Sequence, residues 1–100
     1  MKTKEDIFRK LATLEPELDK LGILRIGLFG SFARGKPRAD SDIDLLVEFI
    51  NTPGLFQMAQ LHLQLEKDLG RRVDIATPEM LSPQLKEQIL NEVVYDEDAS

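Results

Sequence analysis

A chain of 100 residues with 42% apolar residues can fold around one hydrophobic core, and with no cysteine it excludes disulfides and thiolate metal sites. A single histidine excludes an all-imidazole zinc site as well, so any metal here is held by oxygen, which means Mg²⁺, Mn²⁺ or Ca²⁺. The net charge of −5 argues against non-specific binding of DNA or RNA but leaves a nucleotide open, because a bound cation inverts the local field.

One domain over residues 1–100 is expected. No apolar stretch approaches the roughly 18 residues that a membrane span needs, and no signal-peptide pattern opens the chain, so a cytoplasmic location is expected. Thr3 and Asp6 have the spacing of a capping box, and Ile7, Leu11, Leu14 and Leu18 recur at helical intervals over residues 4–21. Pro16 predicts a break near Glu15 with a short second helix, and Gly22 suits the position just past its end. Residues 24–29 form an apolar run closed by Gly30-Ser31, which reads as a buried strand. A polar loop over 35–41 follows, then a second strand over 43–49 bounded by Asn51-Thr52-Pro53-Gly54.

Residues 55–69 lack Gly and Pro and stop at Gly70, the signature of a helix. Residues 72–76 read as a third strand. Thr77-Pro78 and Ser82-Pro83 each place an N-cap before a proline, predicting a one-turn helix and then a helix to about Glu92. The acidic tail Asp96-Glu97-Asp98 is expected to be solvated. The order is α-β-α-β-α-β-α, an α/β (α+β) fold with a small sheet and helices packed mainly on one face.

Three features carry chemistry. Asp42 and Asp44 stand two apart on a strand, so their carboxylates share a face while Ile43, Leu45 and Val47 point into the core. Such close like charges are costly until a divalent cation sits between them. Gly30 permits a close backbone approach or a positive φ. Ser31 offers a hydroxyl and an N–H where a short helix opens, with Arg34 one turn on. Asp74 in Val73-Asp74-Ile75 faces away from its core neighbours, and an adjacent strand would set it beside the first two aspartates. Each feature alone has a plainer reading: a solvated acidic strand, a turn with Ser31 as N-cap, an aspartate paired with Arg71 or Arg72. Arg38 and Asp40 read as solvated loop residues.

Taken together, Phe29-Gly30-Ser31-Phe32-Ala33-Arg34-Gly35, Ser41-Asp42-Ile43-Asp44-Leu45-Leu46-Val47 and Val73-Asp74-Ile75 resemble the DNA polymerase β-like nucleotidyltransferase superfamily, and within it the minimal nucleotidyltransferase (MNT) branch. That resemblance implies a small mixed sheet of the nucleotidyltransferase fold. It implies that Gly30 and Ser31 hold the β- and γ-phosphates of a nucleoside triphosphate, with Arg34 and Lys36 as weaker candidates. Asp42 and Asp44 would ligate two Mg²⁺ ions, and Asp74 the catalytic one while helping to deprotonate the acceptor hydroxyl. MNT proteins commonly stand beside HEPN-type ribonuclease toxins as antitoxins. The implied reaction is AMP transfer from ATP to a toxin hydroxyl, often tyrosine. A binding-only antitoxin, and transfer to a small molecule or an RNA end, are the competing readings.

Larger members of the superfamily add a helical domain, for which the residues before Ser100 leave no room, so a second chain is expected to supply the acceptor surface. Leu55, Phe56, Met58, Ala59, Leu61, Leu63, Leu65 and Leu69 spread over more of their helix than one sheet needs, and the excess is expected to cover another protein or a second copy of this chain. His62 and Glu66, one turn apart, are expected to hydrogen-bond in a structural role.

Overall fold

The computed structural model describes residues 3–95, so the acidic tail lies outside the described residues. The Thr3 hydroxyl accepts from the Asp6 N–H and the Asp6 carboxylate from the Thr3 N–H, both at 3.2 Å, which closes the capping box of α1 (Lys4–Thr13). Leu14 separates it from α2 (Glu15–Lys20), where Pro16 sits in the first turn and sacrifices no helical hydrogen bond. Gly22 takes a φ of 77° and turns the chain into β1 (Ile23–Phe29). There follow α3 (Gly30–Ala33), β2 (Ile43–Phe49), α4 (Leu55–Leu69), β3 (Val73–Ala76), a single 3₁₀ turn (Pro78–Met80) and α5 (Pro83–Glu92).

The sheet has the order β1-β2-β3, with β1 antiparallel and β3 parallel to the central strand. It is a small mixed sheet, as the family resemblance implied. On one face Ile23 and Leu28, then Ile43, Leu45 and Val47, then Val73 pack against Ile7, Leu11, Leu14 and Leu18 of the first helices and Leu61, Leu65 and Leu69 of α4. The alternation expected for β2 is borne out, since Ile43, Leu45 and Val47 are all fully buried. Among the described residues no helix is long and apolar enough to cross a membrane.

The helices lie mainly on that face, and α5 with its trailing residues takes the other. Val93 and Tyr95 lie over Gly27, and Leu46 beside Gly27 is fully buried although it faces away from the main core. Behind α5, Val94 exchanges two 2.8 Å backbone hydrogen bonds with Leu28 and covers the outer edge of β1. No hydrophobic alternation announced this short pairing. The Arg25 guanidinium sits 4.2 Å from the centre of the Tyr95 ring and pairs with Glu48, which fastens the same segment at its end.

Glu66 accepts from the Val73 N–H at 3.0 Å, and His62 Nε2 lies 2.8 Å from the Val73 carbonyl and 3.2 Å from the Glu66 carboxylate. Both neighbours are acceptors, so Nε2 is the donor, and the pair ties α4 to the start of β3 in the structural role expected. Thr77 and Ser82 are the N-caps of the 3₁₀ turn and of α5, as expected, but only the Ser82 hydroxyl accepts a capping N–H, from Leu85, while Thr77 is buried and its side chain makes no capping bond. The outer side of α4 remains uncovered, with Leu55 91% and Phe56 94% exposed.

Gly27 has no room for a side chain, because a Cβ there would stand 2.5 Å from Val93 Cγ2 and 2.7 Å from Tyr95 Cε1. Gly27→Ala is expected to cost roughly 1–3 kcal/mol, read as a lower urea midpoint with an unchanged slope.

Candidate active site

The turn from β1 into α3 is built around Gly30, whose φ is 76°. That angle suits glycine, and the space demands it: a Cβ would lie 2.1 Å from Asp44 Oδ2. The carboxylate of β2 is therefore lodged against the backbone of the turn, as the β1–β2 register of Phe29 opposite Asp44 requires. The helix opens at Gly30, one residue earlier than the pattern suggested, and Phe29 is its N-cap. Ser31 is thus inside the helix and is not its cap. Its hydroxyl has no partner among the described residues.

Asp44 and Asp74 are register partners on parallel strands, so their side chains stand side by side on one face. Burial first, then the charge of Asp74 and a hydrogen bond to it, then the charge of Asp42, push the Asp44 carboxyl up from 3.8 to about 6, with Arg34 acting in the opposite sense. Asp42 stands one residue before β2 and close enough for its charge to act on Asp44, while its Oδ1 lies 3.3 Å from Arg72 Nε. The arginine pairing foreseen as a plain reading for Asp74 thus falls on Asp42 instead.

The donor set is oxygen alone, with one carboxylate held at a cost that a cation would relieve, and this fits a hard divalent ion. Among the described residues no three acidic or imidazole groups are already drawn into a metal cage. Asp44 and Asp74 stand abreast on neighbouring strands, while Asp42 is paired with Arg72. The three are not enclosed: Asp74 is exposed and the other two half-buried. Clefts of about 220 Å³ and 340 Å³ lie elsewhere, the first beside Phe8 and Leu11 and the second beside Phe49, Met58 and Met80, and neither is lined by an aspartate of this group.

Two residues of the site escaped the sequence. Arg71 donates to the carbonyls of Ala39 at 2.8 Å and Ser41 at 3.0 Å and lies over the Phe32 ring, so it moors the polar loop that delivers Asp42. Glu92 accepts from the Gly30 N–H at 2.7 Å and pairs with Arg34 at 3.1 Å. Sixty-two residues separate Glu92 from Gly30, and no local pattern marks such a contact. Arg38 and Asp40 are exposed, as expected.

Similarity to known proteins gives the class: a nucleotidyltransferase. The family described as Polymerase beta, Nucleotidyltransferase matches residues 12–100. The protein adenylyltransferase MntA of Thermococcus cleftensis is 40% identical over 96 residues, covering 95% of this chain and 97% of that protein. A solved structure classed with the minimal nucleotidyltransferases superposes with a TM-score of 0.79 at 42% identity, covering 94% of this chain and 95% of its own. An MNT antitoxin structure, solved with the tri-AMPylated HEPN toxin of Shewanella oneidensis, shares the fold at a TM-score of 0.58 and 23% identity, covering 84% and 69%. The chain belongs to the polymerase β-type nucleotidyltransferase family, in its minimal branch.

Gly30→Ala is expected to drive the Asp44 carboxylate from its seat and to lower nucleotidyl transfer by at least roughly a hundredfold, in a fold that still shows a cooperative melt. Asp44 is protonated more tightly in the folded chain than in the unfolded one, so the stability linked to its proton is complete below pH 3.8 and is lost as pH rises through about 6. In metal-free buffer Asp44→Asn should therefore melt higher than wild type at pH 7.5, with the difference closing as pH falls toward 3.8. Equal melting temperatures at both ends of that range would show that no such charge strain exists.

Proposed function

We propose that this chain is an antitoxin that transfers AMP from ATP to a tyrosine hydroxyl of a partner HEPN-type ribonuclease. The observation that carries the reading is the Asp44 carboxylate seated on the Gly30 turn with Asp74 beside it, which sets the backbone of a glycine turn next to a pair of acidic groups. The activity named for the MntA relative and the AMPylated partner of the Shewanella oneidensis antitoxin support the choice of nucleotide and acceptor. The exposed Leu55 and Phe56 on α4 offer a surface for a partner or a second copy. Action in the cytoplasm belongs to the same reading.

In this scheme the Gly30 N–H, the Ser31 hydroxyl and Arg34 take the β- and γ-phosphates. The acceptor oxygen attacks the α-phosphorus in line, the bond to the pyrophosphate oxygen breaks, and the hydroxyl proton passes to the Asp74 carboxylate. Asp42, Asp44 and Asp74 would hold two Mg²⁺ ions, which when bound supply positive charge against the phosphates and lower the pKa of the attacking hydroxyl. The abreast position of Asp44 and Asp74 supports this assignment. Arg71 keeps the loop before Asp42 in place, a positioning role.

Mixing the chain with its partner toxin, ATP and Mg²⁺ is expected to add AMP to the partner, seen as a mass increase of one or more adenylyl groups. The double variant Asp42→Ala with Asp44→Ala should add none and should fail to silence the ribonuclease. Full neutralisation by the double variant would instead favour an antitoxin that works by binding alone.

A further inference from the structure

Glu92 takes no part in the chemistry above, yet it holds two of the groups that chemistry needs. Its Oε1 accepts from the Gly30 N–H at 2.7 Å, and Arg34 Nη1 lies 3.3 Å from Oε1 and 3.1 Å from Oε2. A carboxylate bridging a backbone N–H and a guanidinium engages the same donors that two non-bridging phosphate oxygens would. One N–H cannot serve both acceptors at full strength, and the guanidinium cannot face both at once. The carboxylate is also kept in range: Glu92 closes α5, and two residues later Val94 is fastened to Leu28 by a pair of backbone hydrogen bonds. Its side chain is 30% exposed, so it can swing out to water when displaced.

We propose that Glu92 is a built-in competitor of the nucleoside triphosphate, an internal anion that must leave the Gly30 N–H and Arg34 before the phosphates can enter. The inference rests on the reading of those two groups as phosphate ligands. Displacement exchanges one charge-assisted contact for another, so affinity is set by how often the latch stands open. A latch closed about nine times in ten weakens the apparent affinity roughly tenfold. Two arginines of the site are thus answered by carboxylates of the chain itself, Arg34 by Glu92 and Arg72 by Asp42.

Titration calorimetry of the full chain with ATP and Mg²⁺ tests this. Glu92→Gln, which keeps the shape and loses the charge, is expected to bind about tenfold tighter than wild type. Glu92→Asp keeps the charge but shortens the reach, and it should tighten binding as well. Wild-type affinity in Glu92→Gln would overturn the latch while leaving the nucleotide site standing. Tightening by Gln but not by Asp would reduce Glu92 to a distant charge, and weaker binding by both would make it a support of the site; either result overturns the competitor. If neither wild type nor variants bind ATP although all melt cooperatively, the nucleotide reading itself fails and takes the latch with it.

Discussion

The Asp44 carboxylate occupies space that any residue other than glycine at position 30 would need, since a Cβ there would come within 2.1 Å of Oδ2. Much of the site follows from that single close approach. It fixes the distance between the turn that presents a serine hydroxyl and the strand that presents acid. It also ties the positive φ of Gly30 to the antiparallel register of β1 and β2, so a slip of either strand would turn the aspartate into the core. The buried side of the same strands, Leu28, Ile43 and Leu45, is packed under α1, α2 and α4, and this packing resists such a slip.

Holding acid there has an electrostatic cost, visible in the raised pKa of Asp44. Wider separation would have removed the repulsion, but the parallel pairing of β2 with β3 places Asp44 and Asp74 directly abreast. The chain offsets part of the charge with arginines, Arg72 at Asp42 and Arg34 within range of Asp44. These contacts are exposed enough that each is weak and exchangeable. Perturbed carboxylates of this kind are common at functional sites.

The helix face opposite the main core has a second task. α5 and Val94 close the edge of β1 and bring Glu92 to the turn, so the end of the described chain and the site are mechanically one unit. On the other side of the molecule α4 keeps Leu55 and Phe56 outside the core, and only its inner positions Leu61, Leu65 and Leu69 join the core. The excess apolar width foreseen for this helix is therefore real surface.

Much of this was legible in one dimension. The capping box at Thr3, the break at Pro16, the stop at Gly70 and the strand over 43–49 are local events, decided by side chains reaching their own backbone or by a period of two, and residue types alone determine them. The same period put Asp44 on the polar side and gave Asp74 its direction, whereas Asp42, expected on the strand with Asp44, stands one residue before it. What neighbours across strands and helices do was another matter. That Asp44 and Asp74 are abreast depends on register, that Asp42 leans on Arg72 depends on where β3 begins, and the contacts of Glu92 with Gly30 and of Val94 with Leu28 join residues more than sixty positions apart. Such contacts depend on how the elements pack, and no spacing within one segment encodes them, so the residues of the site belonged to the sequence and their partners to the tertiary fold.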